Sequence, residues 1–198
     1  MDRAAGTVSF GLLLLLVAVV AYTDFRWGKI YNATTYPGIL AALLINTIGS
    51  FVDWRGWESQ GWQRVVGWIG LGQSVLGLLA CGGILLICYV FFRLHAGDVK
   101  LMAMVGAFLG VNEGIEVLLW TFVIAAAVAV TLLLWRHGAW QLARQAGSRL
   151  GAAIRFRDPA QLAAPEGSPL KTMLALAPSS LIALVLVRFQ LLGALKIL

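Results

Sequence analysis

The sequence predicts an all-helical, polytopic integral membrane protein with about six transmembrane helices and both termini outside. Three observations predict it. The 198 residues are 60% hydrophobic and only 12% charged, against about 25% charged residues in soluble domains. The apolar residues come in long blocks, without the alternation or the one-sided rhythm of a water-facing element. The basic residues gather at the ends of those blocks, where anionic headgroups would meet them. A hydrocarbon core about 30 Å thick takes about 20 residues at ~1.5 Å each to cross. Backbone groups cannot go unpaired there, so each block must be helix.

The first span is expected from about Thr7 to Tyr22. It reads as a retained helix and not a signal peptide, because Asp2 accompanies a single Arg ahead of it and no A-x-A site follows. The second runs from about Tyr36 to Val52, and the third from about Val65 to Phe92, long enough to tilt or to break at its glycines. The fourth, Leu101 to Val111, is short for a crossing; the fifth covers Ile115 to Trp135 and the sixth Thr172 to Leu195. Between the second and third, Trp54, Trp57 and Trp62 fall on roughly one side of a helix, as in a segment lying on the outer surface. The chain, 1–198, reads as a single membrane-embedded domain with a basic cytoplasmic loop at about 136–171, broken by Pro159, Pro165 and Pro169.

This map is tested by its loops. Placing the loops after spans one, three and five on one side collects Arg26, Lys29, Arg93, Lys100, Arg136, Arg144, Arg149, Arg155, Arg157 and Lys171, ten of the fifteen basic residues. By the positive-inside rule that side is the cytoplasm. The formal net charge of +6 is thereby explained by lipid, and no nucleic-acid partner is expected. Cys81 and Cys88 lie on one helix about 10.5 Å apart along its axis, too far to bridge. With no CxxC pair they read as packing residues.

Carboxylates at a membrane are costly, so each of the nine acidic residues needs a reason. Asp2, Asp53, Glu58, Asp158 and Glu166 fall in wet termini or loops. Glu113 and Glu116 flank the short outer turn at 111–114, solvated or capping the fifth helix. Asp24 and Asp98 are left. Both sit at cytoplasmic helix ends and so at one membrane depth, and each is followed by basic residues, Arg26 and Lys29 or Lys100. Charge pattern alone favours ordinary juxtamembrane charges with local salt bridges over a working pair.

The local sequences go further. The stretch from Asp24 through Arg26, Lys29, Ile30 and Asn32 to Pro37 resembles the first motif of the type IV prepilin peptidases, an Asp followed by a basic-Ile-Pro-Asn stretch. His95-Ala96-Gly97-Asp98-Val99-Lys100-Leu101-Met102-Ala103 resembles their second, Gly-x-Gly-Asp-x-Lys-Leu-x-Ala. Gly106-Ala107-Phe108-Leu109-Gly110 is similar to the glycine-bearing short helix that follows, and 177–183 to a Pro-containing motif in the last span. His95 stands where the family has Gly, and Tyr31 where it has Pro.

The resemblance implies an intramembrane aspartic endopeptidase of the bacterial inner membrane, with Asp24 and Asp98 as its catalytic pair and no cofactor or metal. One carboxylate would take a proton from water while the other hydrogen-bonds the oxyanion. Two acids so close share one proton at rest. Gly97, Lys100, Lys29, Asn32 and His95 are the supporting or substrate-orienting candidates. Lys29 and Lys100 read equally well as positive-inside anchors, and Asn32 as a cap of the second span. The partners implied are prepilin or pseudopilin precursors, cut after a Gly between basic leader and apolar helix, together with membrane lipid. Without the CxxC-bearing methylating domain of larger members, the chain looks like the compact form that serves tight-adherence (Flp-type) pili and protein secretion. Two other readings stay open: a small proton- or ion-coupled transporter subunit using the two acids as a relay, and a non-catalytic pilus-assembly scaffold.

Overall fold

The computed structural model describes residues 6–56, 63, 65–92, 95–137 and 176–188. These residues are helical, with no strand among them. Five helices carry the fold: α1 (Thr7–Trp27), α2 (Asn32–Trp54), α3 (Leu71–Phe92), α4 (Ala96–His137) and α5 (Leu176–Arg188). The first four are long and apolar enough to cross a membrane. The chain divides into two compact units, one of residues 1–122 with 176–198 and one of 123–175. The described part of the second is the end of α4, where Ala125 and Ala129 are buried and Trp135 is exposed.

In the first unit α1 packs on α5 and α2, and α2 packs on α3. The inward face of α2 reads Thr35, Gly38, Ala42, Asn46 and Gly49, a small-residue stripe that lets helices approach closely in lipid. The outward faces carry Leu15, Leu40, Leu44, Ile48, Leu79 and Ile87, all exposed. In water that would be an aggregating surface; it suits helices that cross a membrane.

Helix α2 starts at Asn32 and not Tyr36, and α4 at Ala96 and not Leu101; three further differences from the sequence expectation each have a local reason. Helix α1 continues past Tyr22 to Trp27 and stops where Gly28 takes a left-handed conformation (φ 60°), its N–H donating to Asp24 O at 2.7 Å. That is a left-handed glycine cap, and it puts Asp24 in the last turn of the helix and not beyond it. Helix α3 starts at Leu71, not Val65. Gly67 and Gly70 (φ 71° and 87°) break the apolar run, and α1 and α2 catch the freed backbone. Ser9 Oγ donates to Val66 O (2.5 Å), Ile69 N–H donates to Asn46 Oδ1 (2.8 Å) and Leu71 N–H to Ser50 Oγ (2.8 Å). Trp68 is buried there and donates Nε1–H to Asp53 Oδ2 at 2.8 Å. Asp53 therefore belongs to the end of α2 and holds a tryptophan.

The third difference lies in α4, where the expected turn at 111–114 falls instead at Gly110 (φ 79°, ψ −171°). A Cβ on Gly114 would lie 3.2 Å from the Gly106 Cα, although a straight helix would separate these residues by about 12 Å. The chain doubles back, so α4 is a helical hairpin with Gly110 as its joint. Its first limb is enclosed from Leu101 onward, with residues 101–110 all buried. Gly77 and Gly82 of α3 lie against Gly106 and Ala103, and Ser74 Oγ donates to Ala107 O at 2.6 Å. Of the expected sixth span, Leu176–Arg188 is described as helix. The basic loop at about 136–171, Trp57 and Trp62 lie outside the described residues, apart from 136–137 at the end of α4.

Candidate active site

Asp24 and Asp98 arrive from different helices. Asp24 lies in the last turn of α1, which Gly28 terminates. Asp98 lies in the first turn of α4 and is 5% exposed. Ile30, six residues past Asp24, lies against Gly97 beside Asp98, so the two motifs meet although 24 and 98 are far apart in the chain. The charge of Asp24 acts on Asp98.

Each carboxylate is tethered by one backbone donor. Asp24 accepts from the N–H of Ala177 near the start of α5, so α5 reaches the site through its backbone. Asp98 accepts from the N–H of His95, while its own N–H donates to His95 O at 3.0 Å. The carboxylate reaching back to the N–H ahead of the helix is the acidic half of a capping box. That bond fixes the carboxylate at a helix N-terminus, where the macrodipole favours negative charge.

The supporting candidates separate. Gly97 packs on Ile30, and a Cβ there would lie 2.8 Å from the Ile30 Cβ. Lys100 Nζ donates to Asn32 Oδ1 at 2.8 Å and sits 5.0 Å over the Tyr36 ring. Asn32 is therefore not a helix cap: the N-cap of α2 is Tyr31, without a side-chain cap bond. His95 is exposed just ahead of α4, and Lys29 is exposed in the α1–α2 linker. Tyr31, in place of the family's Pro, ends an edge-to-face ladder with Trp27 and Tyr22, centroids 6.3 and 6.1 Å apart. Among the described residues no group of three or more His, Cys, Asp or Glu could hold a metal ion.

Sequence reasoning missed two residues. Tyr36 was read as the start of a span, although it underlies Lys100. Thr35 is fully buried with no hydrogen-bond partner for its hydroxyl; beside Thr34 in the polar start of α2 it carries no signal of its own.

The sequence profile of the type IV leader peptidase family matches residues 11–130, which include both aspartates and every supporting candidate. The chain belongs to that family: it is a polytopic, all-helical membrane protein of a peptidase family whose substrates are prepilin-type precursors. No curated protein and no solved structure matches it.

Proposed function

We propose that the chain is an aspartic endopeptidase of the bacterial inner membrane that removes the basic leader from prepilin-like precursors of the Flp type, with Asp24 and Asp98 as its catalytic pair. The observation that supports this reading is that the two motifs meet: Ile30 of the first lies against Gly97 of the second, with Asp24 in the last turn of α1, Asp98 in the first turn of α4 and the charge of one acting on the other. One carboxylate takes a proton from water as its oxygen attacks the scissile carbonyl carbon. The other, protonated, donates to the oxyanion. Collapse of the tetrahedral intermediate breaks the C–N bond, and the amine leaves with a proton from the pair. Titration belongs to the pair and not to either residue.

Six membrane passages follow if the α4 hairpin counts twice, with the termini outside and both aspartates at the cytoplasmic face. There a leader rich in Lys or Arg meets the site while the apolar helix beyond it stays in lipid. The whole of 1–198 then works as one peptidase domain. Co-expression with a prepilin precursor tests the proposal. Wild-type chain should release the leader and Asp24→Asn should not; equal processing by both would remove the pair from the chemistry.

A further inference from the structure

The α1–α2 linker and the start of α2 together touch the first turn of α4 at more than one point, and those points share a side. At about 100° per residue, Gly97 and Lys100 stand about 60° apart on α4, whereas Asp98 stands about 100° from the first and about 160° from the second. Gly97 rests on Ile30. Lys100 reaches Asn32 Oδ1 at 2.8 Å and covers the Tyr36 ring at 5.0 Å. One face of the turn is therefore gripped by residues 30–36, and Asp98 projects from another.

Further along, the same two helices keep step. Gly38 of α2 lies against Met104 of α4 and Leu16 of α1. Asn32 with Lys100 and Gly38 with Met104 differ by nearly the same offset, so α2 and this limb of α4 run side by side in fixed register. The polar contact is the cytoplasmic end of that register, nearest the aspartates.

We infer that Lys100, Asn32 and Tyr36 form a bracket that sets the rotation of the first turn of α4, and with it the direction in which Asp98 faces Asp24. Lys100 is thus a positioning residue that touches the protein and not the substrate. An ammonium held by an amide oxygen and an aromatic face has two directional partners. A free juxtamembrane lysine anchoring the helix to lipid would have neither. The inference rests on the peptidase reading for its consequence in rate, but not for its geometry.

The test uses purified full-length protein in detergent with a purified prepilin precursor. Lys100→Met and Asn32→Leu should each lower kcat by about 10- to 100-fold, the scale of an ångström-level misplacement, with KM unchanged. The double variant should be no slower than the worse single one, because both remove the same contact. Lys100→Arg should recover most of the rate, since a guanidinium can also donate to Asn32 and stack on Tyr36. A second measurement needs no activity: coupling of an amine to carboxyls by carbodiimide, read by mass spectrometry at Asp98. Asp98 is 5% exposed and should label slowly in wild type and Lys100→Arg, and at least several-fold faster in Lys100→Met.

A rise in KM with kcat intact would make Lys100 a substrate contact and overturn the inference. So would wild-type kcat in Lys100→Met, or unchanged labelling of Asp98. Should the wild-type chain cleave no precursor, the peptidase reading falls, and the labelling alone decides the bracket.

Discussion

Replacing Gly97 by Ala adds one methyl group at the seam between the two motifs. The new Cβ would lie 2.8 Å from the Ile30 Cβ and 3.2 Å from its Cδ1. Carbon atoms rest at ~3.5–4.0 Å, so the first turn of α4 or the linker must give by roughly 0.7–1.2 Å. Such overpacking costs about 1–3 kcal/mol. Against it, Ala is preferred to Gly inside a helix by about 0.5–1 kcal/mol. The clash wins, and the net loss should be about 1–2 kcal/mol. The larger effect falls on the neighbour, because a shift of about 1 Å in a reacting group costs on the order of 100-fold in rate. Initial rates of precursor cleavage in detergent, with thermal unfolding of the same samples, measure both. Adding Ile30→Gly deletes every atom the methyl would strike and should restore much of the rate. Gly97→Ala with wild-type rate and unfolding midpoint would refute the tight seam and the positioning argument built on it.

Four further outcomes are expected. Asp24→Asn and Asp98→Asn should each abolish cleavage while membrane insertion persists, and the double variant should match the singles because the pair acts as a unit; near wild-type cleavage by either would end the aspartic reading. Gly110→Ala should cost about 1–3 kcal/mol, since φ 79° with ψ −171° is backbone that only glycine adopts readily, and an unchanged unfolding midpoint would contradict the joint. Thr35→Val, which keeps shape and removes a buried hydroxyl without a partner, should raise stability by about 1–3 kcal/mol; a loss of stability would mean the hydroxyl has a partner. Cysteines introduced at Ser59 and Ser168 should label from the outside and the cytoplasm respectively, and labelling from one side would break the topology.

What the sequence disclosed depended on how local the physics was. Asp24 and Asp98 stood out because a carboxylate in an apolar chain is expensive and visible. The end of α1 was placed at Tyr22 because polarity rises at Thr23 and Asp24. The backbone, however, follows its cap, which is Gly28 four residues past Asp24. The start of α3 was placed too early because Val65, Val66 and Trp68 are apolar enough to pass for a span. The break at Gly67 is held by Ser9, Asn46 and Ser50, which lie elsewhere in the chain. Asn32 illustrates the same limit: its position before a helix suggested a cap, whereas its partner is Lys100, which only the tertiary fold supplies.

The joint at Gly110 also bears on how the protein is made. Neither limb of α4 can come to rest in the bilayer alone, because a single residue leaves no slack between them. On the proposed topology the two limbs enter together, and the turn brings Glu113 and Glu116 to the outer side. Cys81 and Gly114 meet at this crossing, so α3 offers the surface on which the pair settles.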